Sequence, residues 1–103
     1  MMERPPRLTV PTLKVLNSLI AARTELSGAD LIRTCRLPSG TLYPILIRLE
    51  QCGWVKSRWE DLDPSEAGRP RRRLYTITGA GNANAAAATK DLVEPLRGAL
   101  SWT

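Results

Sequence analysis

The 103-residue sequence contains no histidine. Imidazole metal ligation and histidine-based proton transfer are thereby excluded. A phosphate-cradling glycine loop and a metal-ligand cluster are also lacking, so an enzyme is the remotest reading, and no cofactor or metal is expected. Cysteine is scarce: Cys35 and Cys52 each fall near the end of a predicted helix. They read as small buried hydrophobes, since a disulfide is unusual in a reducing compartment. No apolar run is long enough to span a bilayer. The opening Met1-Met2-Glu3-Arg4-Pro5-Pro6-Arg7 lacks the apolar centre of a signal peptide, so a cytoplasmic location away from membrane is expected.

What the chain does have is cationic charge. Fifteen Lys and Arg against ten Asp and Glu leave a net charge of +5, which favours an anionic partner, with nucleic acid the commonest. A chain of this length makes one small domain with a large exposed surface, and a two-fold partner suits that size.

The stretch from Leu37 to Trp54 reads as a helix with a start, two faces and a stop. Pro38 and the capping oxygen of Ser39 suit a first turn, and Gly53 suits the left-handed residue that ends a helix. Leu42, Ile45, Leu46 and Leu49 recur at i, i+3, i+4 and i+7 and form a buried stripe. The other face carries Thr41, Tyr43, Pro44, Ile47, Arg48 and Gln51, which offer groups suited to phosphates and base edges. The bland alternative is a solvated face, and Pro44 fits a helix only near its start. The flanking elements weigh between these readings.

Residues 1–8 read as a flexible basic arm, with Arg4 and Arg7 around Pro5-Pro6. A first helix is expected from Val10 to Ala22, with Pro11 in its first turn. Val15, Leu16, Leu19, Ile20 and Ala22, with Leu13, cover more than one side of it, so one side should meet the core and another a partner helix. The link Arg23–Leu26 has room for a one-bridge strand. Ser27 then caps a second helix, Gly28 to Cys35, with Asp30 and Arg33 placed to suit its dipole. Two short helices joined by a tight turn, the second with a cationic outer face, make a helix-turn-helix pattern.

After Gly53 the period changes. Trp54–Trp59 alternates as a strand, and Arg72–Ile77 is a second strand. The loop between them is charge-segregated. Glu60, Asp61, Asp63 and Glu66 come first, then Arg69, Arg71, Arg72 and Arg73. Such arginines suit phosphates or a minor groove, while the acids should point away from DNA or pair with nearby cations. Thr78 should cap a last helix carrying Ala85–Ala88 and then Leu92, Leu96 and Leu100, with Pro95 expected to kink or split it. The expected fold class is mainly α with a two-stranded β wing (α+β). Residues 9–78 form a winged helix-turn-helix, and 79–103 form a C-terminal dimerisation helix. The expected dimer interface comprises Leu13, Leu16, Ile20, Leu92, Leu96 and Leu100.

Gly40-Thr41-Leu42-Tyr43-Pro44, Arg48-Leu49-Glu50, Gly53, Trp59, Gly68-Arg69-Pro70-Arg71-Arg72-Arg73-Leu74-Tyr75, Thr78 and Gly81 together resemble the PadR family of winged-helix transcriptional regulators. The resemblance covers roughly Leu13 to Ala85. It implies a homodimer that represses by binding an inverted-repeat operator in double-stranded DNA. It also implies DNA contacts from Thr41 and Tyr43, with Arg48 on or just behind that surface, and a wing held to DNA by Arg71–Arg73. Glu50 is expected to fix the fold, since an acid facing phosphates is costly. A small-molecule effector follows from the resemblance alone, with no residue pattern in its support. The chain departs from the family pattern in a longer wing containing Pro64–Ala67, and in Leu74 where a second aromatic is usual.

The expected function is a sequence-specific, homodimeric DNA-binding repressor, located with the nucleoid when bound. Its recognition helix offers Ser39, Thr41, Tyr43, Pro44, Ile47 and Arg48, and its wing offers Arg69, Arg71, Arg72 and Arg73. Two rivals stand beside it: a DNA architectural or recombination-accessory protein on the same fold, and a winged helix that binds another protein and has no DNA function.

Overall fold

A computed structural model of the chain describes residues 8–100, with side chains described for 8–91. Among the described residues, five helices and three strands follow in the order α1 (Val10–Ala22), β1 (Leu26–Ser27), α2 (Gly28–Cys35), α3 (Ser39–Gln51), β2 (Val55–Trp59), α4 (Pro64–Ala67), β3 (Arg73–Ile77) and α5 (Gly79–Leu100). The strands form one antiparallel sheet in the order β1-β3-β2. The wing sheet thus has a third strand, because Leu26 pairs with Tyr75 and Ser27 with Leu74. It remains a mainly helical winged helix-turn-helix, as the patterning indicated.

Local chemistry sets most boundaries. The Thr9 hydroxyl accepts from the Thr12 amide at 3.3 Å to start α1, and Arg23 ends it in the left-handed conformation, φ 54°. Ser27 and Asp30 form a reciprocal capping box on α2, with bonds of 3.0 and 3.1 Å. The Ser27 amide holds the Asp30 carboxyl below its ordinary range. α3 corrects one expectation. Its N-cap is Pro38, extended at ψ 152°, and no side chain caps the helix, so Ser39 is simply the first helical residue. The other end closes as a Schellman motif: Trp54 N–H donates to Leu49 C=O at 2.9 Å and Gly53 N–H to Glu50 C=O at 3.1 Å, with Gly53 at φ 82°.

The apolar faces meet in one core. Val15 and Leu16 of α1, Leu31 of α2, and Leu42, Leu46 and Leu49 of α3 are its centre, with Ile45 half-buried against them. Each such leucine contributes roughly 1.5–3 kcal/mol by leaving water. Cys35 and Cys52 are free thiols buried in this core. Leu16 is fully enclosed within its own protomer and has no surface to offer a second copy, and Leu13 is 8% exposed. Ile20 is half-buried against the same core.

The last helix is tied to the wing's root. Thr78 donates its amide to Trp54 C=O at 3.0 Å and its hydroxyl to Gly53 C=O at 2.7 Å, and that hydroxyl accepts from Gly81 N–H at 3.1 Å. Gly81 has no room for a side chain: a Cβ there would strike the Trp54 carbonyl oxygen and lie 2.9 Å from Ile77 Cγ1. The small residues Ala85 and Ala88 are buried, and α5 packs back on α1 of the same chain. The helix runs through Pro95 without a break to Leu100, so Pro95 does not split it. The side chains of Leu92, Leu96 and Leu100 lie outside the described residues.

Candidate nucleic-acid interface

Burial of Leu42, Leu46 and Leu49 turns the opposite side of α3 to solvent. Ser39, Thr41, Pro44 and Arg48 are exposed there, together with Tyr43 at 40% and Ile47 at 59%. Tyr43 does not point straight out. A Cβ on Gly28 would lie 2.9 Å from Tyr43 Cε1 and Cζ, so the phenol rests on the first residue of α2. Glycine at position 28 permits that approach, a role the sequence pattern alone did not reveal.

The wing is built around Glu60. Its carboxylate accepts two bonds from the Arg69 guanidinium, at 2.6 and 3.1 Å, and one from Arg72 N–H at 2.9 Å. The Glu60 amide in turn donates to Arg72 C=O at 2.9 Å. Arg69 first, then the Arg72 amide, pull the Glu60 carboxyl down to about 2. Beyond this clasp the loop winds into α4, capped by Asp63, whose carboxylate accepts from Ser65 N–H at 3.0 Å, and closed by Gly68 at φ 70°. The loop expected between the strands thus contains a helical turn. Its signals, Asp63 then Pro64, Glu66 and Gly68, are the usual start and stop residues.

The four wing arginines have different employments. Arg69 is engaged with Glu60. Arg71 Nε donates to Leu62 C=O at 2.8 Å. Arg73 Nε donates to Ser57 Oγ at 2.9 Å, its Nη2 lies 3.7 Å from Glu50 Oε2, and its guanidinium stacks 5.1 Å from the Trp59 ring centre. Ser57 Oγ also bonds Glu50 at 2.7 and 2.8 Å, so Glu50 on α3 ties that helix to both wing strands. The Arg72 side chain is exposed and makes no ion pair or hydrogen bond among the described residues.

Tyr43 of α3, Ala29 at the start of α2, and Trp59, Arg71, Arg72 and Arg73 of the wing line one groove of 530 Å³. Residues far apart in sequence therefore share one cationic and aromatic side of the molecule. Tyr75 lies at its floor, its phenol pushed above its ordinary range by burial and by the charge of Glu50. Ser39, Thr41, Ile47 and Arg48 are exposed on α3 and do not line the groove. Arg58 faces elsewhere, paired with Glu25 at 2.6 Å. No helix among the described residues is long and apolar enough to cross a membrane.

The same architecture occurs in solved structures. The smu.1704 protein of Streptococcus mutans UA159 superposes with a TM-score of 0.71 at 24% identity, covering 98% of this chain and 95% of that one. A transcriptional regulator from Clostridium thermocellum gives 0.71 at 20% identity, covering 90% and 89%. A PadR family transcription regulator from Clostridium difficile R20291 gives 0.71 at 18% identity, covering 89% and 98%. No curated protein matches in sequence. The family model described as the transcriptional regulator PadR-like family matches residues 21–87, which takes in α2, α3, the whole wing and the first turns of α5. The chain belongs to the PadR-like family of transcriptional regulators.

Proposed function

We propose that this regulator is a repressor that acts as a homodimer on an inverted-repeat operator. The outer face of α3 enters the major groove. The wing lies on the flanking backbone, with Arg72 supplying an exposed cation. The observation that carries this reading is the shared groove, which sets Tyr43 of the recognition helix and Arg71–Arg73 on one side of the fold. Phosphate contacts supply affinity and the α3 face supplies sequence choice. Two recognition helices related by a dyad would sit about 34 Å apart, one turn of DNA.

The dimer rests on α5. At 22 residues it is about 33 Å long, whereas α1, its packing partner within the chain, has 13 residues and spans about 20 Å. The excess length suits a second copy, whose contacts would include Leu92, Leu96 and Leu100. The test is selection of bound fragments from genomic DNA followed by footprinting. A discrete palindromic footprint over a promoter supports the reading. Cooperative spreading along the fragment would instead indicate an architectural protein. No binding at low salt would remove the DNA role.

A further inference from the structure

We propose that Ile47 reads a thymine in each operator half-site by packing on its 5-methyl group. This rests on the proposed DNA-binding role and adds the chemistry of sequence choice to it.

The argument begins with the direction of each α3 side chain. At 100° per residue, Gly40, Pro44, Ile47 and Gln51 fall opposite the buried Leu42, Leu46 and Leu49, and all four are exposed. Gly40 and Pro44 bring no side-chain donor or acceptor, and Gln51 is the last residue of the helix. Thr41 and Arg48 stand on one flank of this strip. Tyr43 stands on the other and is drawn off toward Gly28 and the wing groove. The centre of the outward strip is therefore apolar, with Ile47 its only large side chain, left 59% exposed in the free protein.

A major groove presents one apolar group on a base edge, the thymine methyl. Against it a branched aliphatic side chain excludes water from both partners. Cytosine presents only a hydrogen at the same place, so the contact with Ile47 is lost and that base is disfavoured. The strip can therefore discriminate without a hydrogen bond at its centre.

Deoxyuridine replaces thymine and removes only the methyl. On a site recovered by genomic selection, thymines are replaced one at a time, and affinities are measured for the wild type and Ile47→Ala. The exposed position of residue 47 leaves folding intact, which a melting curve checks. The wild type is expected to lose about fourfold per contacted methyl, or about sixteenfold when both half-sites are changed. Ile47→Ala is expected to bind the thymine and uracil sites alike. The proposal is overturned if no single thymine matters to the wild type, or if Ile47→Ala keeps the full methyl dependence. In both cases a discrete selected site would leave the DNA-binding reading standing. Failure to select any site would overturn both.

Discussion

Arg72 differs from the arginines beside it. Arg69, Arg71 and Arg73 each hold part of the wing together, whereas the guanidinium of Arg72 is exposed while its backbone closes the clasp on Glu60. Sequence grouped these four as one cationic cluster, because charge is legible in a string and pairing is not. Their hydrogen-bond acceptors Glu60, Leu62 and Ser57 are nine to sixteen residues away, so only the folded hairpin reveals which cations are engaged. The distinction has a direct consequence. Arg72→Ala should weaken binding to all DNA sequences and lower the slope of log affinity against log salt by about one per subunit, with an unchanged melting temperature. Titrations at several salt concentrations check this, and wild-type behaviour across them would assign the wing another role.

At the scale of elements, most starts and stops were written locally. Ser27, Thr78 and Gly53 act at the positions where their chemistry placed them. Two features were legible only in part. α4 is one turn in a polar loop with no buried residue, so its start and stop residues were present but no apolar period announced it. β1 is two residues long, and the short strand for which the link had room exists through its pairing with β3. The clasp that shapes the wing is electrostatic and should titrate. Arg69 and the Arg72 amide hold the Glu60 carboxyl down to about 2, below its ordinary 4.5, so its contribution is complete above pH 4.5 and fades as pH falls toward 2. The Arg72 amide resonance should shift with a midpoint near pH 2, and Glu60→Gln should abolish the shift. The junction of wing and α5 is steric. Gly81→Ala gains about 1 kcal/mol in helix propensity, but its Cβ would meet the carbonyl of Trp54, which already accepts from Thr78. A net destabilisation of roughly 1–2 kcal/mol is expected in urea unfolding.

For the whole molecule, the sequence gathered the right helices but divided their apolar surface differently. Leu16 looked available to a partner because a single helix was seen apolar on several sides. The fold spends it on the protomer's own core, and Ala85 and Ala88 seat α5 on α1 of the same chain. Which apolar surface is internal depends on how α1, α3 and α5 stack, and periodicity within one helix does not carry that. The common orientation of α3 and the wing is likewise a property of the assembled fold. It arises from Glu50 linking α3 through Ser57 and Arg73 to both strands, and from Tyr43 resting on Gly28. DNA cleavage from tethered probes tests that orientation directly. Cys35 and Cys52 are buried, so a single cysteine placed at Thr41 or at Arg72 can be labelled selectively with an iron chelate. Both positions should cut the same face of a selected DNA site, position 41 within each half-site and position 72 on its flank, about half a turn away. Cleavage on opposite faces of the duplex, or from one position alone, would contradict the account.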